Sequence, residues 1–537
     1  MIHKHTSSNI QSSTTQSSDQ GIALATFLVI IGLILSKMTG FLRDVLVGNQ
    51  FSELIRESWS TAFLIPDFIF NLLVGGSISA AITPSLARSI KTGDEKQGFR
   101  SVSIFISTAI VVMGVVVVLA MLLVGNIFPI LYPKQFKLGI VEATSTSARI
   151  LFPQIFFMML AAFSIGILNA YKKFTATAFG PVVYNTFVVI SIALFAGDTV
   201  RSLYMTVLGV MCAAIIYFCF QAIVGRHYLK SFRFSLNLSD PGFKSLFGMA
   251  VPILVSSSII QVNRIILSYF ADSFDASLQN PIQNANTLWQ LPYGIFAVGV
   301  GSVMLPSLAG HFAGKNFDKA SQLLSSSLKS ALFMTIPMMG FLILMPTDIV
   351  RAAFRWSSVY TDKHIEITAL LLTGYAAATV IHTIVFIFNQ AFYAIGKTKV
   401  PFYSGLISLA VTITMCTVLI GLRDNPSPIL LPVSYITAGS VCALFLVVYY
   451  FKNRELRPRE LSRFILKSLV CLVGLGLSVW LLNGIDYQPE AKLMQLTWLA
   501  VRGVVGLGIY MAIAWLLKMP ELTAFVRKVT RRFKRVV

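Results

Sequence analysis

Charge is what this chain has least of. Only 12% of its 537 residues are Asp, Glu, Lys or Arg, about half the fraction usual for a soluble domain. The five cysteines (Cys212, Cys219, Cys416, Cys442 and Cys471) contain no C-x-x-C pair, which argues against a disulfide framework or zinc site and points to buried, inert thiols. The six histidines are scattered without metal-ligand spacing, and His382, inside an apolar stretch, reads as a packed polar residue rather than a proton relay. The nearest approach to a phosphate-binding loop, Gly396 to Thr398, has Ala391 where the first glycine is required. Asp272 and Asp275 have a D-x-x-D look but lack the second acidic pair of a magnesium-diphosphate enzyme, and read as a solvated loop. No catalytic constellation remains, so no enzyme and no cofactor is expected.

What is present is apolar: 55% of residues are AVILMFWYC, gathered into blocks of about 20, the length that crosses roughly 30 Å of hydrocarbon as a helix. Fourteen blocks are expected as spans, near 21–37, 59–86, 101–129, 143–170, 175–196, 202–224, 245–270, 281–309, 327–347, 365–392, 401–421, 428–451, 463–482 and 496–517. The fold class is therefore all-α, a polytopic membrane protein. Residues 1–20, rich in Ser, Thr and Gln, read as a disordered N-terminus without a cleavage site. Of 43 Lys and Arg, 29 fall in segments sharing a side with the termini, 10 in the opposite loops, and four (Lys37, Arg149, Arg264, Arg502) within or beside spans. The positive-inside rule then places both termini in the cytoplasm. The net charge of +21 is accounted for by basic loops and a basic 518–537 tail against an anionic leaflet, without nucleic acid.

Pro-Ser-Leu-Ala occurs at Pro84–Ala87 and again at Pro306–Ala309, an offset of 222 residues. The same offset relates "ILNAYKKFTATAFGP", with Tyr171, to "FNQAFYAIGKTKVP", with Tyr393. Six spans separate the copies, so the chain reads as two parallel six-helix lobes, 21–225 and 226–451, followed by an extra helix pair within 452–517. Parallel repeats are a transporter architecture, with substrate bound near the midplane.

The expected site lies on spans 1, 2, 7 and 8. Span 1 places Lys37 and Arg43 on either side of Gly40, and an unbroken helix would leave them about 120° apart, so a bend at Gly40 is expected if both face one cavity. The alternative is that Lys37 snorkels to the outer interface while Arg43 lies in the loop. Span 2 carries Pro66, Asp67, Asn71, Gly75 and Gly76, the pattern of an interrupted helix. On span 7, Ser257, Gln261, Arg264 and Ser268 form one polar stripe, and span 8 offers Gln283, Asn286 or Thr287, and Gln290. Such stripes are either cavity lining or interhelical hydrogen bonding, and an arginine favours lining. Arg and Lys together suit an anionic cargo bearing phosphate or diphosphate.

These residues resemble the lipid II flippase family of peptidoglycan synthesis, MurJ or MviN, in the wider group of multidrug and oligosaccharidyl-lipid exporters. The family's S-R-x-x-G-x-x-R-D appears as Ser36, Lys37, Gly40, Arg43 and Asp44; its acidic-small-aromatic step as Glu57, Ser58 and Trp59; its P-N as Pro66 and Asp67; its G-x-x-S-x-A-x-x-P as Gly76, Ser79, Ala81 or Ala80, and Pro84. Span 8, "LWQLPYGIFAVGVGSVMLPSLA", is similar to its most recognisable stretch. The resemblance implies ATP-independent movement of lipid II, an undecaprenyl-diphosphate-linked disaccharide peptide, across the bacterial cytoplasmic membrane by alternating access. It implies reset by membrane potential or a coupling ion. Taken together with the polar stripes, it makes Lys37, Arg43, Asp44, Glu57, Asp67, Asn71, Gln261, Arg264, Asn286, Thr287 and Gln290 the expected substrate contacts. Better-known members carry arginine where this chain has Phe70 and Thr287, and Glu-Gly where it has Gly75 and Gly76; Arg264 is expected to replace one of those arginines. A different polyprenyl-linked oligosaccharide is the alternative cargo, whereas an ion-coupled drug antiporter would show an acidic cavity.

Overall fold

The computed structural model describes every residue except 1–27, 29–30, 33, 74–76, 134–138, 275–277, 424–425, 454–457, 486–490 and 524–537. The expected disordered N-terminus, Gly75, Gly76, Asp275 and most of the basic tail lie outside the described residues. The described residues form helices and no strand: α1 (residues 34–50), α2 (Glu53–Ala62), α3 (Leu64–Leu73), α4 (Ser77–Lys91), α5 (Glu95–Leu131), α6 (Val141–Ala170), α7 (Phe174–Phe195), α8 (Val200–Leu229) and α9 (Pro241–Ala271). There follow α10 (Gln279–Pro292), a π-helical stretch (Tyr293–Val298), α11 (Gly299–Ala313), α12 (Phe317–Leu344), α13 (Pro346–Phe354), α14 (Asp362–Ala394) and α15 (Lys399–Cys416). A second π stretch (Thr417–Gly421), α16 (Leu430–Asn453), α17 (Pro458–Asn483) and α18 (Lys492–Leu516) complete the order. Eleven helices among the described residues have the length and apolarity of spans. Of the other three expected spans, 59–86 and 245–270 correspond to α2–α4 and α9, while 21–37 lies mostly outside the described residues and its end runs into α1, which continues to residue 50.

Two compact units divide the chain, Met1–Gln261 and Val262–Val537, with the division inside α9. In the first, α6 is the central helix, packed by α2, α3, α4, α5, α7 and α8, and it contributes Leu151, Phe152, Ile155, Phe163 and Ile167 to the core. In the second, α14 takes that place against α10, α11, α12, α13 and α16, with Ile387, Phe388 and Phe392 in the core. The 222-residue register persists in the helices: α4 begins at Ser77 and α11 at Gly299, α5 at Glu95 and α12 at Phe317.

The helix ends repeat too. In hydrocarbon or at its edge, orphan carbonyls must be satisfied locally. Five helices end in the same paired arrangement, in which the second residue of the turn donates back five positions and the first back three. The residue in the left-handed conformation is Gly93 after α4, Lys172 after α6, Lys315 after α11, Gly396 after α14 and Lys518 after α18. Gly93 and Lys315 are again 222 apart. Lysine is strained at positive φ but sets a cation beside the negative end of the helix dipole.

Two expectations change, and a third gains its cause. Cys212 and Cys219 on α8 are exposed rather than buried, seven residues apart on one helix face. Asp272 is buried at 4% exposure, not solvated, because it follows the last residue of α9 into a small core of Leu267, Ala271, Phe274 and Leu278. The interruption of span 2 has a visible cause at Pro66: without an N–H it cannot close on the Ala62 carbonyl, so α2 stops at Ala62, Phe63 turns, and α3 starts at Leu64.

Asp240, preceding α9, ties that helix to α5. Its Oδ1 accepts from the Phe243 N–H at 2.9 Å and from Ser101 Oγ at 2.9 Å, and Oδ2 lies 3.9 Å from Arg100 Nε. Burial opposes the charge, but the Phe243, Ser101 and Gly242 hydrogen bonds and Arg100 outweigh it and hold the carboxyl below its ordinary value. A depressed value stabilises the fold above the unfolded pKa, and that contribution is lost only as pH falls through the folded one. Asp240→Ala should therefore cost about 1–2 kcal/mol at neutral pH, and its deficit against the parent should shrink only in acid; unfolding of purified protein followed across pH checks both. Lys315→Gly should raise stability by about 0.5–1 kcal/mol by relieving positive φ, while Gly93→Val, with open space at its Cβ position but the same φ constraint, should lower it by about 1–2 kcal/mol. Unfolding temperatures in detergent report both.

Candidate functional site

In the first unit the expected charged residues sit on α1–α3. α1 is continuous through Gly40, with no break in the helix there. Gly40 instead faces α7: a Cβ there would lie 3.5 Å from Asn185 Nδ2, and one on Gly32 would meet the Ala178 Cβ and carbonyl at 3.0 Å. Asn185 Nδ2 also donates to the Ser36 carbonyl at 3.2 Å. Gly32, Ser36 and Gly40 at four-residue spacing thus make a small-residue stripe that brings two membrane helices close. Six residues along an unbroken helix leave Lys37 and Arg43 about 120° apart; Lys37 is exposed and Arg43 half-buried.

Arg43 is not a free cation. Its Nε and Nη2 both donate to Oδ1 of Asp44, at 2.9 and 2.8 Å, and it feels the charge of Asp67 and the hydroxyl of Tyr184. Asp44 is buried at 6% exposure. Asp67 and Asn71 are half-buried on α3, and Asn71 Nδ2 donates to the Asp67 carbonyl at 2.7 Å. Tyr184, which sequence reasoning passed over, belongs with this group; nothing in the chain marks it, because its neighbourhood is set by α7 packing. Glu57 departs from the expected cavity lining. It is enclosed at 2% exposure on α2 beside fully buried Arg56, whose Nη1 reaches the Gly48 carbonyl at 2.6 Å.

On α9, Gln261 is half-buried and Arg264 exposed, while Ser257 has no described side chain. The stripe does not line a cavity along its whole length. Ser268 is buried and exchanges two 2.9 Å hydrogen bonds with Gln279, Oγ to Oε1 and Nε2 to the Ser268 carbonyl, so that end holds α9 to α10. On α10, Gln290 is exposed and Gln283, Asn286 and Thr287 are half-buried. Asn286 is held from within: Trp289 Nε1 donates to its Oδ1 at 2.8 Å, which turns the amide nitrogen away from the indole. Trp289 in turn stacks near Tyr375, Tyr435 and His382, and His382 lies against Tyr435 at 4.8 Å. His382 is thus a packed aromatic-cluster residue, as its sequence setting indicated. Pro292 ends α10, and the π stretch from Tyr293 follows, a local widening common at functional sites.

No group of three His, Cys, Asp or Glu placed to hold a metal occurs among the described residues. The arrangement offers half-buried or exposed guanidinium groups, one in each unit, with amides and hydroxyls nearby. That is chemistry for binding an anion rather than for breaking a bond.

The α1–α7 contact yields a direct check. Gly40→Ala makes ordinary contact with Asn185 and should leave membrane abundance unchanged, whereas Gly32→Ala must push against Ala178 backbone and should cost about 1–3 kcal/mol, read as reduced abundance and a lower unfolding temperature.

The family model described as "Lipid II flippase MurJ" matches residues 51–501. A protein of Bdellovibrio bacteriovorus named "Probable lipid II flippase MurJ" is 26% identical over 84% of this chain and 87% of its own length. The "Lipid II flippase MurJ" of Thermosipho africanus is 25% identical over 95% and 98%. Among solved structures, one titled "Lipid II flippase MurJ, inward closed conformation" aligns with a TM-score of 0.73 at 24% identity, over 91% of this chain and 98% of that one. An inward-facing multidrug resistance MATE family transporter aligns at 0.64 and 14% identity, over 78% and 97%. The two structures share the fold of this chain, and the match over 51–501 settles the family: the chain belongs to the lipid II flippase MurJ family.

Proposed function

We propose that this protein carries lipid II from the inner to the outer leaflet of the bacterial cytoplasmic membrane by alternating access, with both termini cytoplasmic. The observation that carries the reading is the family match over residues 51–501. Arg43 in the first unit and Arg264 in the second each present a guanidinium of the kind that meets a phosphate group. The protein moves its substrate and changes no covalent bond, so the membrane potential or an ion gradient is the driving force we assign to the return step.

The Arg43–Asp44 pair gives the cycle a physical form. With no substrate, Asp44 holds the guanidinium through two donors on one oxygen. An arriving phosphate competes with that carboxylate, and on release Asp44 takes the cation back. The exchange keeps the half-buried guanidinium paired with an anion in both states. Arg43→Ala should abolish function with normal membrane abundance, and Lys37→Arg should be tolerated. Asp44→Asn should bind lipid II more tightly and turn over more slowly, because the competing anion is gone.

The decisive test is expression in a bacterium depleted of its own lipid II flippase. Growth with continued wall synthesis is expected; lysis with lipid II retained in the inner leaflet would overturn the reading. The same strain tests the relocated charge. Arg264→Thr should lose about ten- to hundredfold in affinity, the worth of one charge-assisted bond to phosphate, and adding Thr287→Arg should restore growth. A double mutant no better than the single, or a single mutant that merely fails to accumulate, rejects the relocation. Phe70 and Thr287 favour one second reading, a related polyprenyl-diphosphate saccharide, which would appear as failed complementation with a different lipid-linked sugar accumulating.

A further inference from the structure

A second cationic group lies at the other end of the second unit from Lys315, where α12 hands over to α13. Lys492, the first residue of α18, donates from Nζ to the carbonyl oxygens of Arg351 and Arg355 at 2.6 and 2.7 Å. Its ammonium therefore sits at the carbonyl end of α13, and it lies 4.8 Å from the centre of the Trp356 ring. Arg355 Nη1 reaches Asp362 at 2.6 Å and Arg351 Nη2 approaches the same oxygen at 3.6 Å. The one other carboxylate described on this face of α13, Asp348, is taken by Arg502 at 2.8 Å, together with Asn483. Among the described residues, Arg351 and Arg355 thus share one carboxylate, and Lys492 is held by backbone carbonyls alongside them. Arg351 Nε is buried and has no hydrogen-bond partner among them.

Such an excess is costly at a membrane edge, where screening by water is reduced. Burial of a guanidinium N–H without an acceptor adds to that cost. What adjoins the cluster is apolar and open: Trp356 is 55% exposed, and Leu493 and Met494, directly after Lys492, are 77% and 55% exposed. Cations beside an aromatic, above outward-facing apolar side chains, match a lipid in chemistry and in order along the membrane normal: phosphate at the cations, chain along α18.

We propose that Arg351, Arg355 and Lys492 form a binding site for the phosphate of a membrane lipid, distinct from the α1–α3 and α9–α10 residues. Arg351 and Arg355 supply the donors and Lys492 the point charge that its two backbone contacts hold in place. Either a bulk anionic phospholipid or a polyprenyl diphosphate carries the required group.

Native mass spectrometry of the purified full-length protein, titrated separately with phosphatidylglycerol, phosphatidylethanolamine and undecaprenyl diphosphate, tests this. The parent should retain an anionic lipid adduct that Arg351→Gln/Arg355→Gln weakens about tenfold, while Arg351→Lys/Arg355→Lys keeps most of it. Loss confined to phosphatidylglycerol identifies a bulk lipid, and loss confined to undecaprenyl diphosphate identifies the transported class; either supports the site. Equal adducts in parent and Gln variant overturn it. Should the double Gln variant not fold, Arg355→Gln alone, with its unfolding temperature measured alongside, decides by the same comparison.

Discussion

A backbone amide or carbonyl left unpaired in hydrocarbon costs several kcal/mol, and that constraint governs most of what is seen. It forces the spans to be helices, and then moves the difficulty to helix ends and interruptions. At five ends the answer is the same left-handed turn with its two back-bonds, three times with lysine in the strained position. Where a helix stops inside the membrane region, as at Ala62, a proline four residues on has removed the donor that would have continued it.

The same constraint acts on side chains. Charges are few, and those that are enclosed are bonded: Arg43 to Asp44, Arg56 to a backbone carbonyl, Arg502 to Asp348 and Asn483. Pairing makes a charge tolerable in place but also makes it exchangeable, because a ligand anion can take over the role of the internal one. A flippase that must hold and release a diphosphate needs that property more than it needs a strong isolated cation, which would bind without letting go.

Small residues do the remaining structural work. With no hydrophobic driving force between helices in lipid, close approach comes from shape, and α1 meets α7 through Gly32, Ser36 and Gly40. Gly40 shows how one residue supports two readings. Set between two basic residues it looks like a hinge; against Asn185 it is a contact surface on an unbroken helix.

The sequence by itself determined the all-helical membrane class, the 222-residue repeat and the family, because hydrocarbon thickness and periodicity act on each segment locally and leave their mark in composition. It also singled out Arg43, Asp67 and Asn71, whose charge or polarity is conspicuous in apolar surroundings, and Asp44 through the family motif. Only the tertiary structure decided what each polar group faces. Ser268 turned out to bind Gln279, Asn286 to be held by Trp289, Glu57 and Asp272 to be enclosed, and Arg351, Arg355 and Lys492 to converge from segments about 140 residues apart. Periodicity names the face a residue occupies on its own helix; the partner on that face comes from another helix, and no local pattern encodes which one.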